Sequence, residues 1–143
     1  MEVIIREIEV NDAKDVNRLS QQLGYPLSFE QTLENIKAVV QSKDHTAFVA
    51  VYENKIVGWI GAAYSIMIEV MPHCEINGLI IDESCRGKGV GKKLIEGVQQ
   101  WAREKGVDKL SLGCNVKRTE AHLFYEHLGF TPVKQQTKFV LPI

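Results

Sequence analysis

Apolar and polar positions alternate along residues 2–8, "EVIIREI", a pattern that predicts a strand. In "NDAKDVNRLSQQLG" the period lengthens. Val16, Leu19 and Leu23 form one apolar stripe, Asn11 or Asp12 is placed to cap a helix, and Gly24 to end it. Ser28 and Gln31 have capping-box spacing and open a second helix with Leu33, Ile36, Val39 and Val40 on one side. "TAFVAVYENKIVGWIGAAYSIMIE" predicts a hairpin about the polar turn Glu53–Lys55. Met71–Pro72–His73 is expected to break the pattern before a strand over 74–82, whose "GLII" is apolar on both faces, as in a strand buried on both sides. A glycine-rich segment then runs into a helix ending near Gly106, with Leu94, Ile95, Val98, Trp101 and Ala102 at helical spacing. A strand is expected over 108–115 and a helix over 119–128, with Ala121, Phe124, Tyr125 and Leu128 on its inner stripe and Gly129 past its end. "KFVLPI" in the tail reads as a last strand.

The resulting order, βααβββαβαβ, predicts a mixed sheet with helices on its faces, in the α/β or α+β class. No repeat or linker interrupts the 143 residues, so residues 1–143 are expected to form one domain. A net charge of −1 argues against a nucleic-acid or membrane surface as the main partner. The N-terminal "MEVIIREIEV" does not read as a signal peptide, and the weakly charged run 56–68 is too short to span a bilayer. Cys74, Cys85 and Cys114 form neither a disulfide framework nor a CxxC pair, which points to a reducing cytoplasm. The four histidines have no metal-ligand spacing, and no metal is expected.

"SCRGKGVGKKLIEGVQQWA", residues 84–102, places glycines at 87, 89 and 91 where a helix should begin. Glycine is a poor helix former, so the pattern requires a compensating gain. Without side chains, the backbone N–H groups can converge on one point, and the helix dipole adds roughly half a positive charge there. Such a site holds phosphate, and Arg86, Lys88, Lys92 and Lys93 reinforce its polarity. A tight turn needing positive φ would call for a single glycine. The P-loop pattern fails, because Lys92 is followed by Lys93 and position 86 is arginine. The dinucleotide pattern fails as well, since the sixth position from Gly87 is Lys92 and from Gly89 is Leu94.

What remains is R-x-x-G-x-G, met by Arg86, Gly89 and Gly91 between an apolar strand and an amphipathic helix. It resembles the pyrophosphate-binding motif of the GNAT (general-control-related N-acetyltransferase) superfamily. "LIIDESCRGKGVGKKLI" resembles that family's strand–loop–helix unit, and Asn115, Ala121, Phe124, Tyr125, Gly129 and Phe130 match its downstream mark, a strand end followed by a helix ending "FYEHLGF". The resemblance extends over nearly the whole chain and implies the acyl-CoA N-acyltransferase fold, with a central sheet of six to seven strands and about four helices.

The resemblance also implies acetyl-CoA as cosubstrate and direct transfer of its acetyl group to a primary amine in a ternary complex. The loop Arg86, Gly87, Lys88, Gly89, Val90 and Gly91, with Lys92, would take the pyrophosphate. Leu79, Ile80 and Ile81 would pair with the pantetheine arm, beside a bulge for which Gly78 is a plausible place. Asn115 would contact the same arm, while Arg118 stands where relatives carry a second asparagine. Tyr125 would protonate the departing thiolate, although its place on the inner stripe equally suits a core residue. Glu75 would act as general base, with Glu69 a rival.

The acceptor side is expected in 23–31, 62–75 and the tail, with Tyr25, Tyr64, Glu69 and His73 as candidate contacts; a loop position suits His73 best. "NVKRTEAHLFYEHLGF" is similar to the small-molecule branch that includes aminoalkylphosphonate and aminoglycoside acetyltransferases. A non-catalytic acyl-CoA sensor and a protein or peptide N-acetyltransferase are the competing readings. Relatives often dimerise through sheet edges or C-terminal strands, which makes "KFVLPI" a candidate edge for a homodimer.

Overall fold

The computed structural model describes residues 1–143. They form two compact units, Met1–Leu112 and Gly113–Ile143. The first contains β1 (Ile4–Glu7), α1 (Ala13–Gln22), α2 (Phe29–Gln41), β2 (His45–Tyr52), β3 (Lys55–Met67), β4 (Val70–Ile81), α3 (Val90–Glu104) and β5 (Leu110–Leu112). The second contains α4 (Thr119–His127).

The sheet has five strands in the order β1-β2-β3-β4-β5, fewer than the six to seven expected. Its first four strands pair antiparallel, and β4 pairs with β5 in parallel, so the sheet is mixed as the element order predicted. The missing strand is the tail. Residues 131–143 carry no strand or helix, and Phe139, Val140 and Leu141 are exposed. Apolar alternation is not sufficient for a strand, because an extended segment is held only when its N–H and C=O groups find a ladder.

Alternation along β2 divides the first unit into two layers. Ala47, Val49 and Val51 pack with Val16 of α1 and Ile36 of α2, together with Ile8, Ala13 and Ile56. Phe48 points the other way, against Gly97 of α3, where a Cβ would lie 3.6 Å from its ring. Leu94 and Val98 of α3 are fully buried, as their spacing predicted. The turn between β2 and β3 is formed by Glu53 and Asn54, both with positive φ (49° and 63°), which matches a tight hairpin of the primed type.

Polar contacts tie the first two helices down. Asp12 accepts both guanidinium N–H groups of Arg6, each at 2.8 Å, and the Glu9 N–H at 2.8 Å. Ser28 caps α2 by accepting from Gln31 N–H, while the Gln31 side chain turns forward to Asn35, so only half of the capping box forms. Asn17, buried in α1, donates to Leu27 O at 2.8 Å and Thr32 Oγ1 at 2.9 Å, fixing the α1–α2 loop.

Met71–Pro72–His73 does not interrupt β4. The hairpin turns instead at Ile68–Glu69, and β4 runs through Pro72. The register slips between Ser65 and Met67, leaving Pro72 outside the paired positions, so its missing N–H breaks no ladder bond. The strand expected over 108–115 is confined to Leu110–Leu112. In the second unit, α4 buries no residue fully: Tyr125, Ala121 and Leu128 are half-buried, whereas Phe124 is exposed. Gly129 takes φ +101°, the left-handed end expected of it.

Candidate active site

Two features of the first unit meet the requirements of an extended, phosphate-bearing ligand. The first is the turn into α3. Asp82 Oδ1 accepts the Ser84 N–H at 3.0 Å and its O–H at 2.8 Å, and these bonds hold the Asp82 carboxyl below the usual carboxylate range. A short 3-10 turn over Glu83–Cys85 follows, with Cys85 buried beneath. Gly87 and Gly89 then adopt φ +74° and +82°. A Cβ at either position would meet nothing within 4 Å, so glycine is required there by backbone conformation and the space beside the loop is open.

Gly89 is the N-cap of α3 and offers no capping side chain. The Lys93 N–H bonds back to Gly89 O at 3.2 Å, so the amides before it have no intrahelical acceptor. The first turn holds no acidic residue, and Lys92 and Lys93 are exposed there. Cations at a helix N-terminus oppose the dipole, and an anion bound to the free amides would offset that repulsion.

The second feature is a fork in the sheet. Strand β4 pairs with β5 only through Cys74, Glu75 and Ile76 against Leu110, Ser111 and Leu112. On its other side the β3–β4 register slips between Gly61 and Ala62, leaving Asn77 as the extra residue of a β-bulge. From Gly78 to Ile81 the strand pairs with β3 alone, so Leu79, Ile80 and Ile81 have no β5 ladder along their other edge. The bulge falls one residue before Gly78.

Both sides of the bulge are glycine-dependent. A Cβ on Gly61 would lie 2.7 Å from Asn77 Oδ1, and one on Gly78 would lie 2.7 Å from the Trp59 ring. Trp59 is held in turn by its indole N–H, which donates to Ser20 Oγ at 3.1 Å. Asn77, Trp59 and Ser20 were not singled out by sequence reasoning. The available signal was a glycine inside each of two adjacent strands, which marks a bulge or a close approach.

His73 and Glu75 lie on β4 opposite Ser65 and Ala63, two residues apart and so on one face of the sheet. His73 is a strand residue, not a loop residue. Its Nε2 is 3.9 Å from Glu75 Oε2, with the histidine side chain 13% and the glutamate side chain 50% exposed. His73 Nδ1 lies 3.1 Å from Met71 O. Tyr64 is opposite Cys74 and therefore on the other face. Glu69 occupies the β3–β4 turn, and Tyr25 is an exposed residue of the α1–α2 loop. Of the four candidate acceptor contacts, His73 alone is placed beside Glu75.

Tyr125 and Asn115 belong to the second unit. The Tyr125 ring meets Phe124 and Phe130 edge-on, with centroids 5.2 and 5.7 Å apart. Asn115 Oδ1 accepts the Lys117 N–H at 2.9 Å, and Asn115 O accepts from His122 Nε2 at 2.9 Å. Arg118 is the residue before α4, its N–H bonded to Asn115 O. All three cysteines are free thiols, and burial pushes the Cys74 thiol up, away from the reactive thiolate. No three His, Cys, Asp or Glu side chains gather as a metal site.

A family model described as "Acetyltransferase (GNAT) family" matches residues 12–130. The chain belongs to the GNAT acetyltransferase family. The uncharacterized N-acetyltransferase YhdJ of Bacillus subtilis (strain 168) is 34% identical over 79% of this chain and 80% of its own length. A glucosamine 6-phosphate N-acetyltransferase of Arabidopsis thaliana is 31% identical over 89% of each chain. Among solved structures, AAC(6')-Iy in complex with the bisubstrate analogue CoA-S-monomethyl-acetylneamine superimposes with a TM-score of 0.89 at 20% identity, covering 100% of both chains. That likeness shows a shared fold. No helix in the chain is long and apolar enough to cross a membrane.

Proposed function

We propose that this GNAT protein transfers the acetyl group of acetyl-CoA directly to a primary amine of a small molecule. The observation that carries the reading is the fork at Asn77, combined with the left-handed glycines of the α3 turn. Acetyl-CoA brings an already activated thioester and needs two things from a protein: an anion cradle for its diphosphate and an edge for its amide-bearing arm. Arg86, Gly87, Lys88, Gly89, Val90, Gly91 and Lys92 supply the cradle, and Leu79, Ile80 and Ile81 the edge. Asn115 is a further contact for the arm.

Two side chains move protons in this reading. Glu75 takes a proton from the attacking amine; its place on the last rungs before the sheet divides, with half its surface open, gives a base access to both solvent and substrate. Tyr125 donates its phenolic proton to the departing sulfur. Tyr25 and Glu69 are offered as rim contacts for the acceptor. Tyr64 is the weakest of the candidates, since it faces away from Glu75. Acceptors related to amino sugars are favoured by the relative named for glucosamine 6-phosphate. A thiol-release assay over amino sugars, aminoglycosides, aminoalkylphosphonates, polyamines, amino acids and peptides tests the reading. Turnover of a small amine is expected. CoA binding without turnover of any acceptor would indicate a sensor, and turnover of peptides alone a protein acetyltransferase.

Residues 1–143 are read as one N-acetyltransferase domain, supported by a family match that crosses both compact units. A homodimer is proposed from the exposed apolar tail, and a reducing cytoplasm from the three free thiols.

A further inference from the structure

We propose that His73 is the proton-accepting partner of Glu75, so that the base of this enzyme is a histidine–glutamate dyad. The inference rests on the reading of Glu75 as base and adds a residue that acts through it. Its starting point is the tautomer. Met71 O is a carbonyl and can only accept, so the His73 nitrogen 3.1 Å away, Nδ1, must carry the proton. In the neutral ring the other nitrogen, Nε2, is therefore an unprotonated acceptor, and it is Nε2 that faces Glu75 Oε2 at 3.9 Å. That gap closes through one water or a small rotation of the half-exposed carboxylate.

The charged or titratable groups around the pair are Lys109, Glu69 and, beyond Ala63, His45 of β2. Across the sheet His73 and Glu75 face Ser65 and Ala63 on β3, and Glu75 faces Ser111 on β5. None of these is ionised near neutral pH. The β5 register brings Lys109, which precedes Leu110, alongside His73, and Glu69 in the β3–β4 turn is the other charged residue of this end of the hairpin. The step balances as a proton transfer. The N–H bond of the acceptor ammonium breaks as Glu75 takes the proton, the carboxylic O–H then breaks as Nε2 takes it, and the imidazolium releases it to water. Glu75 is thereby restored as a carboxylate while the Nδ1–H to Met71 O stays in place.

Two measurements on the full chain test this. The first needs no turnover: long-range proton–nitrogen NMR reads the tautomer of neutral His73. The Nδ1–H form is expected, and a proton on Nε2 instead would overturn the proposal, because that nitrogen could not accept. The second compares wild type, His73→Asn and Glu75→Gln in acetyl transfer. His73→Asn keeps a donor for Met71 O but cannot accept a proton, so kcat should fall about tenfold or more with the KM for acetyl-CoA unchanged. If Glu75→Gln is impaired while His73→Asn keeps the wild-type kcat, the dyad is wrong and the Glu75 base survives. If Glu75→Gln is fully active, the base assignment fails and the dyad fails with it.

Discussion

Gly87 and Gly89 show how a single missing atom can serve a site. Neither is crowded; each is glycine because its φ lies near +80°. Alanine at position 89 should therefore cost about 1 kcal/mol of stability from backbone strain, measured by urea unfolding, and a result near zero would show that the turn relaxes. Tyr125 is tested by Tyr125→Phe, which should lower kcat about tenfold or more and leave the KM for acetyl-CoA within about twofold; unchanged steady-state rates would remove the phenol from the mechanism. Asp12 makes a prediction about pH. Burial alone would raise its carboxyl, but the bonds from Arg6 and the Glu9 N–H outweigh it and hold the group below the ordinary range. A depressed carboxyl stabilises the fold above its unfolded value, about 3.9, and that stability is lost as pH falls through the folded value. Asp12→Asn should thus be less stable than wild type by about 1–3 kcal/mol at neutral pH, with the difference vanishing in strong acid. A difference independent of pH would contradict the ion pair. The loop glycines were legible because glycine is unusual where a helix begins, and Gly87 and Gly89 do take the left-handed conformation that favours it. Asn77 was not, since an asparagine in a strand acquires meaning only when the register on both sides is known.

Elements were legible wherever the apolar period was long. The stripe of Leu94, Ile95, Val98, Trp101 and Ala102 specified α3, and all but the half-buried Trp101 are buried. Strand β4 was misread at Pro72 because proline reports only its own missing N–H, and whether that matters depends on the pairing beside it. The fork makes a prediction at this scale. Gly78→Ala places a methyl 2.7 Å from Trp59, whose ring is tied to Ser20 of α1. The substitution should destabilise the protein by about 1–3 kcal/mol, read from urea unfolding. An unperturbed midpoint would mean that Trp59 moves aside freely and does not brace the bulge.

At the scale of the whole molecule, the order of helices and strands was readable up to the last element. The tail failed because the pattern in "KFVLPI" describes what a strand would bury and not which edge would pair with it. Its side chains at 139–141 remain exposed, and such a run invites a partner. Light scattering coupled to size exclusion should find a dimer that Phe139→Ser with Leu141→Ser converts to monomer, whereas a monomeric wild type would refute the proposed assembly. The proposed binding of CoA depends on the amides that precede Lys93. Calorimetric titration with CoA of wild type and of a folded Gly87→Val, Gly89→Val variant tests that dependence most directly. A Kd raised about 100-fold or more is expected, the equivalent of losing one or two charge-assisted hydrogen bonds; CoA affinity equal to that of wild type would show that these amides do not hold the diphosphate.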